Sequence, residues 1–175
     1  MAKLRKMLGS IENPHIISLM RLIETQSKAT LATWAIDYAE NNFLEIYKQA
    51  YPGDHRLYNV IGASKEFING TRKLSEVKLL LKEAKQIAKE VEENPVIQAS
   101  VRAIATACAT IQTPTNALGF TFYGAAAIVY HLVGLSEDVK TYDKLASIEL
   151  EKMLKSLQSV AVENEEHPVK INWNC

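Results

Sequence analysis

Cysteine, proline and glycine are all scarce in this chain: two, five and seven in 175 residues. Two cysteines make no disulfide framework, so a reducing, cytoplasmic setting is expected. Glycine and proline at this level exclude a collagen-like, linker-like or loop-rich sandwich protein. An excess of charge of either sign is missing as well, with 20 basic residues against 20 acidic ones. The broad electrostatic footprint of a nucleic-acid binder is therefore absent. Lys3, Arg5 and Lys6 interrupt Leu4, Met7 and Leu8, and a secretory signal would need roughly 7–15 uninterrupted apolar residues. Cys175 lacks the three following positions of a prenylation signal. The chain carries no P-loop, Gly-x-Gly-x-x-Gly, Gly-x-Ser-x-Gly or His-Glu-x-x-His motif. His15, His55, His131 and His167 are scattered without metal-ligand spacing. No catalytic residue, metal or cofactor is expected.

What is present is apolar content, 47% of the chain, beside 23% charged residues. That balance belongs to a folded protein, and at this length one domain spanning residues 1–175 is expected, burying roughly 70% of its extended-chain surface. Capping residues and breakers predict seven helices. Asn13-Pro14 opens the first, to about residue 26, and Ser27 caps the second, which runs to about residue 50. Asp54 caps the third, and Asn69-Gly70 ends it. Ser75 opens the fourth, Asn94-Pro95 the fifth and Thr113-Pro114 the sixth. Gly134 and Ser136 separate the sixth from the last, which ends near residue 160. No segment alternates convincingly with period two, so the fold class is all-α.

Periodicity agrees. Val77, Leu80, Leu81, Ala84, Ile87, Ala88 and Val91 share an arc of about 120° on the fourth helix. Val139, Tyr142, Ala146, Leu150, Met153, Leu157 and Val160 form a similar stripe on the last. Short connections make neighbours antiparallel, and the helical hairpins either close as a bundle or stack as a short HEAT-like superhelix. Residues 1–12 form an N-terminal arm. Pro168 makes residues 163–175 an extended tail, and Ile171 and Trp173 dock it on the body, since each large apolar side chain gains roughly 1.5–3 kcal/mol by burial.

Residues 103–136 hold no charged side chain apart from His131. Six Thr, Gln and Asn residues crowd the first half, and residues 117–134 barely reach spanning length. A buried central hairpin is expected, and no membrane partner. Within it Cys108 reads as a small buried hydrophobe and His131 as a core or helix-end histidine.

Three features are candidates for binding. Lys78, Lys82, Lys85 and Lys89 are spaced to line one stripe of the fourth helix, inside a segment with eight basic and three acidic residues. An acidic partner or a phosphate backbone fits that charge, though no interleaved aromatics support base stacking, and a solvated face opposite the apolar stripe is the plain alternative. Thr113, Thr115 and Asn116 begin an apolar helix whose free N–H groups can receive an anion. Asp54 and Arg56 begin another, and a folded-back hairpin would bring the two starts together; the bland alternative for both is simple capping with an inter-helix polar network. Asp37, Glu40, Asn41 and Glu45 share a polar arc that reads as a solvated face.

Longer strings carry a resemblance: Ser18-Leu-Met-Arg-Leu-Ile-Glu-Thr-Gln-Ser27, Trp34-Ala-Ile-Asp-Tyr-Ala-Glu40, Tyr51-Pro-Gly-Asp-His-Arg56, Thr113-Pro-Thr-Asn-Ala-Leu-Gly119, Tyr123-Gly-Ala-Ala-Ala127 and Lys170-Ile-Asn-Trp-Asn-Cys175. Together they make the chain resemble the bacterial putative-immunity-protein family, small helical proteins of Firmicutes. The family pattern frequently has histidine where this chain has Gln112 and Asn116, and Arg-Pro-Arg where it has Arg56-Leu57-Tyr58. Any chemistry resting on those histidines is not carried over. The resemblance implies an inhibitor of a toxin and brings no catalytic residue with it.

The leading expectation is thus a non-enzymatic helical protein that masks a bacterial toxin, acting as a monomer or homodimer on a protein partner and not on nucleic acid. A scaffold or adaptor is the alternative. A small-molecule-binding protein or enzyme using Asp54, Arg56, Thr113 and Asn116 is a further one.

Overall fold

A computed structural model describes residues 3–174, so Cys175 and the first two residues of the arm lie outside the described residues. Eight helices follow one another: α1 (Pro14–Ile23), α2 (Lys28–Asn42), α3 (Leu44–Ala50), α4 (Arg56–Ile68), α5 (Leu74–Glu90), α6 (Pro95–Ala109), α7 (Asn116–Val133) and α8 (Val139–Val160). No strand occurs among the described residues. The all-α class is as expected, and the seven expected segments are all helical, the second of them divided in two.

The division falls at Phe43. The Asn42 side-chain amide donates to the Tyr38 carbonyl at 2.8 Å, a local bond of the kind that competes with helix continuation. Phe43 itself is fully buried, and its ring lies where a Cβ on Gly124 of α7 would sit. Bending the chain at residue 43 directs that ring into the gap the glycine leaves.

Caps mostly sit where the sequence puts them. Asn13, Ser27 and Asn94 side chains accept from the N–H groups of His15, Thr30 and Ile97. Asp54 accepts from the Arg56 N–H at 3.0 Å, one residue outside the position flanking α4. The starts of α5 and α7 differ from expectation. Helix α5 opens at Leu74, where the Glu76 carboxylate accepts from the Lys73 N–H at 3.1 Å, half of a capping box. Asp138 caps α8 through the Thr141 N–H at 2.7 Å, just beyond the break expected at Gly134 and Ser136. Helix α7 begins two residues after Pro114: the N–H groups of Asn116, Ala117 and Leu118 bond three residues back, and the α pattern takes over only with the Gly119 N–H.

The packing is a closed bundle. Helix α2 touches α3, α4, α6, α7 and α8, a reach that a stack of hairpins contacting only their neighbours does not have. Helix α6 packs against α2, α3, α4, α5 and α7, so the expected central hairpin is α6–α7. By length and composition α7 is apolar enough to cross a membrane, yet Leu118, Phe120, Ala125, Val129 and Tyr130 are buried against its neighbours. The α8 stripe is shorter than its periodicity implies. Val139 and Val160 are about half exposed at its two ends, while Glu149 is buried within it and pairs with Lys152 at 2.9 Å.

Both chain ends are tied to this body. In the arm, Leu8 is fully buried and its N–H donates to the Phe122 carbonyl at 3.1 Å. Arg5 pairs with Asp143 at 2.8 Å, and the Tyr130 hydroxyl donates to the Arg5 carbonyl at 2.7 Å. In the tail, Val169, Ile171 and Trp173 turn inward at alternate positions against the core. The Val169 N–H donates to the Gln26 carbonyl, and the Trp173 indole donates to Glu24 at 3.0 Å. Period two is therefore present here, over three residues of extended chain.

Candidate binding surface

Asp54 and Arg56 belong to an internal network that joins three helices. The Asp54 carboxylate accepts from the Tyr47 hydroxyl at 2.7 Å and from the Arg56 guanidinium at 2.8 Å. The same guanidinium forks across both carboxylate oxygens of Glu90, at the end of α5. Hydrogen bonds from Arg56, assisted by the one from Tyr47, hold the Asp54 carboxyl well below the usual carboxylate range. Burial first, and then the bond to Asp54, push the Tyr47 phenol up. Every strong donor of the cluster is committed to a partner inside it. Its arrangement fastens the starts of α4 and the end of α5 together.

Thr113, Thr115 and Asn116 lie at the other end of the molecule. Glu90 leads within a few residues to Pro95, and α6 then runs its 15 residues away before the turn at Thr113. That is about 22 Å of helix between the two starts, so they do not meet. Thr113 and Thr115 are exposed, and their carbonyls accept from the N–H groups of Asn116 and Gly119.

The lysine stripe divides into two parts. Lys78 and Lys82 face open solvent. Lys85 and Lys89 are exposed as well, but they form one wall of a groove of about 340 Å³ between α5, α6 and α7. Arg102, Thr106, Asn116 and Tyr123 line its floor and far wall. No acidic residue lines it, and Lys85, Lys89 and Arg102 make no ion pair among the described residues. Sequence reasoning singled out Lys85, Lys89 and Asn116 as separate features, and the fold brings them to one groove. It missed Arg102 and Tyr123. A lone cation in the otherwise uncharged run of α6 is the signal that could have found the first.

A second, apolar groove of about 480 Å³ runs between α2 and α8. Trp34 and Tyr38 form its base, with Asp37, Asn41, Asn42 and Ser159 on the rim. The Trp34 indole donates to Ser156 Oγ at 2.8 Å, and its ring packs edge-on against Phe120 at 5.0 Å between centroids. Burial, with the Glu149 charge adding to it, pushes the Tyr38 phenol up to about 12. Part of the expected solvated arc is engaged here. Asp37 and Glu40 both grip Lys65 of α4, the first at 3.1 Å.

The remaining sequence candidates are accounted for by packing. Cys108 is fully buried, and burial pushes its thiol up to about 12. His131 is exposed in the last turn of α7, which is the helix-end position expected for it. No cluster of His, Cys, Asp and Glu able to hold a metal ion occurs among the described residues.

The sequence matches a family model, that of the Imm-5 like putative immunity protein, over residues 21–156. The chain belongs to that family. The match starts within α1 and ends within α8, so it takes in the whole α5–α6–α7 groove and the Asp54 network, leaves out Ser159, Val160 and Val162 of the α2–α8 groove, and stops short of the tail. No curated protein and no solved structure matches the chain significantly.

Proposed function

We propose that this protein is a non-enzymatic immunity protein, which neutralises a bacterial toxin by binding and masking it. Membership of the Imm-5 like family over residues 21–156 carries the reading. The physical construction is compatible with it. A bundle whose arm and tail are both pinned to the body presents its grooves ready-formed, and preorganisation lowers the ordering cost of association. The apolar base and polar rim of the α2–α8 groove have the make-up of a protein-recognition surface.

The test is genetic and then biochemical. The partner retained by this chain is isolated from its native host and expressed alone in a cell that lacks the chain. Growth arrest that co-expression of the chain relieves is the expected outcome. A stoichiometric partner that leaves growth unaffected shifts the protein to an adaptor role.

A further inference from the structure

We propose that the groove between α5, α6 and α7 is a docking site for an acidic, extended segment of a protein partner, held by Lys85, Lys89 and Arg102. The inference rests on the reading of this chain as a protein that binds another protein, and it names the face and the partner chemistry.

The argument begins with charge. Over the whole chain acidic and basic residues cancel, so a groove whose charged residues are all cations is a local departure from balance. Elsewhere this protein pairs the cations that sit between its helices: Arg56 with Asp54 and Glu90, Lys65 with Asp37 and Glu40, and Arg5 with Asp143. Lys85, Lys89 and Arg102 come from two facing helices and converge without a carboxylate. Like charges brought together cost free energy, and a partner's carboxylates would relieve it.

Shape adds a direction. Arg102, which is half-buried, lines a second, smaller groove of about 130 Å³ as well, together with Arg5, Lys6, Gln98 and Tyr130. No acidic residue lines that groove either. Arg102 thus lines both grooves, which follow one another along α6; of the cations in the smaller one, Arg5 is already paired with Asp143. Helix α6 is about 22 Å long, and an extended chain rises about 3.3 Å per residue. An occupant of about seven residues would run the length of α6, past both grooves. A carboxylate-bearing peptide fits them better than a nucleic acid does, because Tyr123 and Tyr130 sit in separate grooves and no row of aromatics stands ready for successive bases.

The probe is a fluorescein-labelled oligoglutamate of about eight residues, titrated with the full chain at low salt and followed by anisotropy. An oligoglycine-serine peptide and a single-stranded oligonucleotide serve as comparisons. The expected result is a rise with oligoglutamate alone that weakens as salt is raised. Lys89→Glu combined with Arg102→Glu should weaken it at least about tenfold, since reversal places like charge across the contact. Lys78→Glu combined with Lys144→Glu, which removes the same charge elsewhere, should change it less than about twofold. All four side chains reach the surface, and helix content by circular dichroism checks that both variants fold. Amide shifts in a titrated, isotope-labelled sample should cluster at residues 85, 89, 102 and 116. Equal loss in both double variants, shifts spread over the whole surface, no binding, or tighter binding of the oligonucleotide would each overturn the proposal. Failure of the peptide with a toxin still neutralised removes this face and leaves the immunity reading standing. Peptide binding in the groove with no toxin silenced does the reverse.

Discussion

The side-chain amide of Gln26 exchanges two hydrogen bonds with the backbone of Val162, taking the Val162 N–H at 2.8 Å and donating to its carbonyl at 3.1 Å. One residue in the α1–α2 connection thereby does what a neighbouring strand would do for the start of the tail. Three residues further on, Glu165 accepts from the Ser27 N–H and from the Thr30 hydroxyl at the start of α2. A carboxylate at that position also meets the positive end of the helix. Burial alone would raise the Glu165 carboxyl, but the hydrogen bonds from Ser27 and Thr30 outweigh it and hold the group below its ordinary value.

Loss of the Gln26 amide should free the tail before it unfolds the bundle. Gln26→Ala leaves the backbone of the exposed Val162 to water, a cost of about 1 kcal/mol. Hydrogen exchange should accelerate from residue 162 onward, with the amides of α6 and α7 unchanged in rank. Exchange that rises equally in the central helices would show that the tail is not a separable unit.

Gly124 should tolerate no side chain while Phe43 is present. A Cβ there would stand far inside contact distance of the Phe43 ring, and overpacking of that kind costs about 1–3 kcal/mol. Gly124→Ala should lower stability by that order in urea denaturation. Combined with Phe43→Leu, it should cost less than the two single changes added together. Additive losses would mean that the ring and the glycine are not coupled.

The Asp54 network predicts the acid limb of stability. The Asp54 carboxyl lies below its ordinary value of 3.8 in the folded protein, so its contribution is present above that value and is lost as pH falls through the folded one. Melting temperature should therefore drop steadily below pH about 4. In Asp54→Asn, stability should be lower near neutrality by about 2 kcal/mol, and the drop on acidification should be shallower. A variant with the same acid slope as the parent would place the responsible carboxylates elsewhere.

Cys108 should be inert in the native state. Its thiol is fully buried and is pushed up to about 12, so little thiolate is available for alkylation at neutral pH. Mass spectrometry after maleimide treatment should find Cys108 unmodified in native protein and modified once denaturant is added. Rapid native labelling would show that α6 opens locally.

Much of the fold is determined by the sequence itself. Helical class, helix ends and the buried faces follow from spacings of three and four and from capping chemistry, all of them local along the chain. Asn13, Ser27 and Asn94 act as caps wherever the helices later pack. The family too is legible, because it is written in residue strings and not in distances. What the chain order does not contain is which surfaces meet. Phe43 breaks a helix that no proline or glycine interrupts, because its ring finds Gly124 some eighty positions later in the chain. Asp54 and Arg56 read in the sequence as a cap or part of an inter-helix polar network, and only the fold supplies Glu90 and Tyr47 as the partners. Lys85, Lys89, Arg102 and Asn116 are unremarkable singly and become a groove only when α5, α6 and α7 pack side by side. Tertiary structure decided these features for one physical reason: charge and shape act through space, and only the packed bundle sets the distances over which they act.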